Sequence, residues 1–504
     1  MFIRLTLALL LAVSVWAQTV PSTLAHGKRY PRLIIRNAMV IEGNGTPASG
    51  PKDIIIENNR IVDVVAADPV SMGRTPGMGG ARRPAVEGAV EYDATGKYVM
   101  PGLVNAHAHI QDERGGIPQP LDYELKIWLS CGITTIRDVG SDTVKTLKLR
   151  EQSATGEVAA PRIFAYPMLG RANTPEAGRA RVRQLKEMGV DGIKLLGIYR
   201  DVMEAVEDEA HKLNLPIAHH IGVEETNAWD DINFGSRSIE HWYGIPDAAL
   251  PDGVQAFPSY YNYNNETDRF RWAGHLWREA DQTKLMKVLD AMVEHQVAWV
   301  PTFDIYEASR DLQRAETQPW FKDYLHPTLE EYFKPNPKNH GSYFFGWSST
   351  DETYWKENYR IWMAAVREFE RRGGLVATGD DAGFIYQMYG FGLLRELELH
   401  QEAGFPTLKV LQHATQNGAR VLFHGNEFGR VRGGFLADVL IVNGNPVENL
   451  KVLYPTGIED IKDGKAVHTG GVEWTIKDGI SYHVPTMMAE VKEMVAKARA
   501  ERKK

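Results

Sequence analysis

"DGIKLLGIYRDVMEAVEDEAHKLNLPIAHHIG", residues 191–222, contains one complete strand–helix–strand unit. DGIKLLG is a strand, YRDVMEAVEDEAHKLN a helix closing at Asn214, and LPIAHHIG the next strand. Asparagine or glycine at a helix end accepts the left-handed conformation that stops the helix. Two strands joined through a single helix form a right-handed crossover and hence a parallel pair. The same alternation runs in both directions. KYVMPGLVNAHAHI (97–110), ITTIRDVG (133–140) and RIFAYPML (162–169) precede the unit, and SRSIEHWYG, VAWVPTFDIY and GLVATGDDAG follow it. That makes about eight strands, the number that closes a (β/α)8 TIM barrel. A doubly wound open sheet is the competing arrangement, but no dinucleotide-type glycine pattern marks its first turn.

Outside the alternation the chain changes character. RLIIRNAMVIEG (32–43) and KDIIIENNRIVDVVA (52–66) are β-branched runs, with Asn58-Asn59 as a hairpin turn. FLADVLIVNG (435–444) and EDIKDGKAVHTGG (459–471) supply β-rich material at the far end. The organisation expected is a small β-sandwich module built from both chain ends (28–98 and 425–485) around a barrel at 99–424, with residues 486–504 as an exposed helical tail. At the start, Arg4, the apolar run Leu5–Val15 and Val15-Trp16-Ala17 form a secretory signal over residues 1–17. The apolar run is too short to span a bilayer. Export to the periplasm or the extracellular space is therefore expected, with no stable membrane association after cleavage. An uncleaved anchor is the competing reading.

The 504 residues carry a net charge of −8, so no basic excess favours nucleic acid as a partner. No glycine-rich run ends in Gly-Lys-Ser/Thr, which removes a nucleotide P-loop. The glycines of residues 73–84 are expected to form a mobile loop. Cys131 is the only cysteine, so an internal disulfide is impossible, and its apolar neighbourhood makes it a core residue.

In a TIM barrel the chemistry sits where the strands end. Those ends carry His107 and His109, then Lys194, His219 and His220, His241, and finally Asp380 and Asp381. His107 and His109 alternate onto one face of their strand. Imidazole and carboxylate offered from several strands at one barrel end suit zinc and related divalent ions. Only one of His219 and His220 can face inward. Counting from Pro216 favours His220, and counting back from Gly222 favours His219; His220 is taken as the ligand and His219 as the alternative.

These residues resemble the amidohydrolase superfamily, in particular its imidazolonepropionase-like and prolidase-like branch. PGLVNAHAHI is similar to the family's first-strand H-x-H, GVDGIKLLG to its fourth strand with a lysine, SIEHWYG to its sixth and TGDDAG to its eighth. ATQNGARVLFHGNEFGRVRGGFLADVLIVNGNP resembles the family's passage from barrel to β module. The resemblance implies two divalent ions, zinc by preference. His107 and His109 would hold the inner ion with Asp381, His220 and His241 the outer one, and a carboxylated Lys194 would bridge them. It also implies Asp381 as the catalytic acid–base in hydrolysis of an amide-like bond by metal-activated hydroxide. Two departures stand out: Asn105 where the family often has aspartate, and Asp380 where it often has threonine.

The substrate expected is a small molecule, most simply a dipeptide or an acylated amino acid. Opening of a lactone, cyclic imide or hydantoin-type ring is the enzymatic alternative, and a non-catalytic metal- or ligand-binding barrel the alternative outside enzymes. A glutamate three residues after the strand-five histidine, typical of the superfamily's deaminases, is missing, since Gly222 and Val223 stand there. Residues 251–370 form a long insertion crowded with aromatics, expected as a cleft wall or as a subdomain with its own core. Tyr243, two residues after His241, is a candidate contact for a substrate carbonyl or carboxylate. Homo-oligomerisation is left open.

Overall fold

The computed structural model describes residues 24–67, 86–221, 226–251, 258–260, 262 and 265–502. The signal segment and the glycine-rich stretch 73–84 lie outside the described residues. Seven parallel strands alternate with helices through the middle of the chain. Leu103–Ala108, Ile133–Asp138 and Arg162–Ala165 form one sheet; Ile193–Leu196, Ile217–His220, Ser238–Glu240 and Ala298–Val300 form another. The two sheets meet at a parallel bridge between Met168 and Lys194. On the other side, segment 376–378 lies between the sheets. It bridges Trp299 through Val376, and Ala106 N–H donates to the Thr378 carbonyl at 2.9 Å.

This is a TIM-barrel-like α/β fold. The eighth expected strand, GLVATGDDAG, is reduced to that bridge. Thr378 is followed by Gly379, where a Cβ would meet the His107 Cβ at 2.5 Å, so the chain passes too close to the first strand for a side chain.

Helix stops follow the cap chemistry read from the sequence. Gly156, Gly189 and Gly235 each end a helix in the left-handed conformation, at φ 79°, 79° and 92°. The helix over Arg200–Lys212 buries Val202, Met203, Val206 and Ala210 on one face, and these pack with Ile193, Leu195 and Ile217 of the strands on either side of it.

Strands from both chain ends join in a single nine-stranded sheet. Val439–Asn443 pairs antiparallel with Tyr98–Pro101, Ile441 opposite Val99, and so ties the end of the chain to its beginning. Ile35, Ile54, Val99, Val439 and Ile476 share the core of this module. The hairpin turn at Asn58-Asn59 is present, with Glu57 paired to Arg60. Residues 459–471 behave differently from expectation. Ile458–Lys462 and Lys465–Thr469 form a separate, largely exposed hairpin rather than strands of the sheet.

The terminal helix also departs from an exposed tail. Val484–Arg502 buries Val484, Met487, Met488, Val491 and Val495, spaced three to four residues apart, and packs beside the helix Leu121–Ser130. Cys131 is buried, as expected. Among the described residues no helix is long and apolar enough to cross a membrane.

Candidate active site

At the C-terminal ends of the parallel strands a cavity of 590 Å³ is lined by His107, His109, Lys194, His220, His241 and Asp381. Tyr243, Tyr306, Phe270 and Phe384 form aromatic parts of its wall. His107, His241 and Asp381 each offer a ligand atom, all within 4.8 Å of one another. His109 Nε2 lies 2.9 Å from Asp381 Oδ1, and the His220 ring sits 4.4 Å from the ring of His241.

Each of the two central imidazoles is held by its far nitrogen. His107 Nδ1 is 2.6 Å from Glu240 Oε2, and His241 Nδ1 is 2.6 Å from Thr302 Oγ1. With Nδ1–H donated backwards, Nε2 of each ring is left as a bare acceptor, the form in which imidazole ligates metal. Burial pushes His107, His220 and His241 well below the usual histidine range, which keeps them neutral. Burial opposes ionisation of Asp381, but His107, His109 and Lys194 outweigh it and hold the carboxyl below its usual range.

Lys194 is the least ordinary member. Its Nζ is buried and has no hydrogen-bond partner. Burial lowers its pKa to about 8, against the pull of Glu240 and Asp381. An orphaned amine is not what a rim lysine paired with an acid would show. This donor set suits divalent metal: neutral imidazoles, one ionised carboxylate and an amine easily freed of its proton.

The adjacent histidines separate as strand alternation requires. His220 faces the cavity and stacks on Tyr243, with ring centroids 5.0 Å apart and planes 12° from parallel. His219 points the other way, its Nδ1 2.8 Å from Asp231 Oδ1, and takes no part in lining the cavity.

Asn105 and Asp380, the two departures from the family pattern, turn out to be partners. Asn105 Nδ2 donates to Asp380 Oδ1 at 2.7 Å, while Asn105 Oδ1 accepts from the backbone of His107 and of Asp380, both at 3.2 Å. Asp380 therefore sits behind the cavity, where burial pushes its pKa up to about 7. It braces the first strand against the eighth segment.

Sequence reasoning missed the residues behind the ligands. Glu240 joins His107 to Arg137, whose Nη2 donates to Glu240 Oε1 at 2.6 Å, and both side chains are fully buried. Glu240 stands next to His241, so simple alternation would send it to the opposite face. The chain departs from alternation there, with His241 at φ 61°, and both residues serve the site. Thr302 left no signal in the sequence. The insertion supplies cleft wall but shares the main core rather than forming one of its own. Trp277, Trp355, Tyr359 and Trp362 are buried in the main core, whereas Phe270, Arg269 and His340 line the cavity. Tyr243 is nearly buried, and its ring lies 6.0 Å from that of Tyr306 across the cavity wall.

The sequence signature of the amidohydrolase family matches residues 98–257, which include His107, His109, Lys194, His220 and His241. A Xaa-Pro dipeptidase with methionine bound in its active site shares the fold, with TM-score 0.61 and 21% identity over 90% of this chain and 100% of that one. Over residues 98–257 the chain is similar to the amidohydrolase family. Two curated proteins match parts of it. An adenine deaminase of Ligilactobacillus salivarius is 35% identical over 97 residues, covering 18% of this chain and 15% of the relative. A dihydroorotase of Solibacter usitatus is 24% identical over 230 residues, covering 43% and 48%. The chain thus spans less than half the length of either curated relative. The TIM-barrel-like fold carries its His-His-Asp cluster at the strand ends, where TIM barrels place their chemistry.

Proposed function

We propose that this protein cleaves the carbon–nitrogen bond of a small amide, of dipeptide or N-acyl amino acid type, with divalent metal. The observation that carries the reading is the convergence of His107 Nε2, His241 Nε2 and the Asp381 carboxylate beside the partnerless Lys194 amine. His107, His109 and Asp381 would hold one zinc ion, His220 and His241 a second. Lys194, as a carbamate, would add a ligand to that set. Its neutral amine adds to carbon dioxide, loses a proton, and presents two oxygens where the bare amine offered one nitrogen.

Divalent metal held by these residues would supply an acidified water and polarisation of the scissile carbonyl. Asp381, ionised and at the centre of the cluster, accepts the proton that water loses and passes it to the departing nitrogen. Water oxygen bonds to the carbonyl carbon, the carbon–nitrogen bond breaks, and an acid and an amine leave. The Tyr243 hydroxyl, in the cavity wall, would donate to the substrate carbonyl or carboxylate. Phe270, Tyr306 and Phe384 would exclude bulk water from the reaction.

A panel of dipeptides, N-acyl amino acids, lactones and hydantoins tests the reading. Turnover of the amides with a free amine as product is expected. Turnover of the ring esters alone would replace it. Export follows from the N-terminal segment as a further part of the proposal. Sequencing of the exported protein should begin near Gln18, and a start at Met1 would make the segment an anchor.

A further inference from the structure

Behind the cavity the loop leaving the Ala298–Val300 strand is held in an unfavourable shape. Thr302, which bonds His241 Nδ1, has φ 49°, a conformation rare for a β-branched residue. Such strain persists only where the surroundings over-determine it. The next two residues show how. The Tyr359 hydroxyl donates to the Phe303 carbonyl, and Gln387 Nε2 donates to the Asp304 carbonyl at 2.8 Å. The Asp304 N–H donates to Glu396 Oε2 at 2.9 Å. Ile305 and Tyr306, immediately following, line the cavity.

Glu396, on the helix Phe391–Glu402, anchors this clamp, and its other oxygen is not free to turn. Glu396 Oε1 lies 3.0 Å from His400 Nε2, His400 Nδ1 lies 3.0 Å from His413 Nδ1, and His413 Nε2 lies 3.1 Å from Glu370 Oε1. Glu396, His400 and His413 are fully buried, and Glu370 reaches the surface beside Lys409. The hydrogen-bonded chain therefore runs from solvent to the loop that orients a metal-binding histidine. It is more polar machinery than an ordinary helix-to-barrel contact requires, since each buried polar group costs stability unless bonded.

We propose that Glu396 is a positioning residue for the metal centre, acting through Asp304 and Thr302 to fix the His241 ring and the Tyr306 wall. This rests on the reading of His241 as a metal ligand. Neighbours that orient a ligand typically contribute about 10–100-fold to metal affinity, which sets the effect to look for.

The test is zinc affinity of the full chain by chelator competition, alongside kcat and KM. Glu396→Ala and Thr302→Val are each expected to weaken zinc binding by about 10–100-fold. Glu396→Gln, which keeps an acceptor for the Asp304 N–H, should stay within about threefold of the wild type if the hydrogen bond is what matters. The double variant Glu396→Ala/Thr302→Val should bind no more than about threefold more weakly than the worse single variant, because residues acting through one another are not additive. Should Glu396→Ala fail to fold, Glu396→Asp carries the same expectation, since one methylene less draws the acceptor away from Asp304. Unchanged zinc affinity in the Ala or Asp variant overturns the inference, as do single losses that multiply in the double variant. A wild-type chain that binds no zinc defeats the proposed function itself, a different outcome from zinc-binding protein indifferent to Glu396.

Discussion

The residue that looked most out of place, Asp380, has its explanation in Asn105. At 2.7 Å, an aspartate in place of Asn105 would set two carboxylates against each other in a buried site. Asn105→Asp alone is therefore expected to destabilise the fold by about 1–3 kcal/mol, the cost of a buried polar group deprived of its partner. Adding Asp380→Asn should recover most of that loss, because the amide and carboxylate then simply exchange places. Urea unfolding midpoints check it, and a double variant no more stable than Asn105→Asp would sink the pairing. The adjacent histidines make a second expectation at this scale. His220→Ala should lower metal content, while His219→Ala should leave it intact and disturb only the contact with Asp231. The opposite pattern would move the ligand to His219. Alternation made this pair half-legible in the sequence, since it allowed one inward ring without saying which. It failed at Glu240 and His241, where φ 61° at His241 re-aims neighbouring side chains in a way no periodicity records.

Among the elements, those whose apolar spacing matches their burial were the legible ones. The helix Arg200–Lys212 and its flanking strands came straight from the pattern. The terminal helix did not, because its low overall hydrophobicity and charged end concealed a buried stripe from Val484 to Val495. This helix brings Arg499 and Arg502 near His326, which sits at the start of the helix Pro327–Phe333. Burial, aided by those two arginines, pulls His326 down to about 4 from an ordinary 6.5. The unfolded chain therefore takes up the proton first as pH falls. The stability His326 contributes is full above pH 6.5 and is lost as pH falls through about 4. His413 is lowered in the same sense, also to about 4, so the acid limb is shared. His326→Gln should make the loss of stability between these pH values shallower, read from unfolding midpoints across that range. Identical slopes for variant and wild type would contradict the assignment.

For the whole molecule, the order of strand-end residues along the chain was the strongest signal, because a barrel collects distant residues at one end whatever their separation. The nine-stranded sheet joining both ends was partly legible, but the hairpin at 458–469 was not separable from it by composition. Thr302 and Glu396 were invisible for a physical reason. Their roles depend on contacts 61 and 92 residues away in sequence, made by residue types that are ordinary on any helix or loop. What the molecule as a whole is built to do rests on the central cluster. The most direct test is hydrolysis of an N-acyl amino acid or dipeptide by protein stripped with a chelator and then reloaded with zinc, beside Asp381→Asn treated identically. The expected result is activity lost on stripping and restored on reloading in the wild type, with the variant slower by about 10²–10⁴-fold at full metal content. Undiminished hydrolysis by the stripped protein, or by metal-loaded Asp381→Asn, would contradict the account.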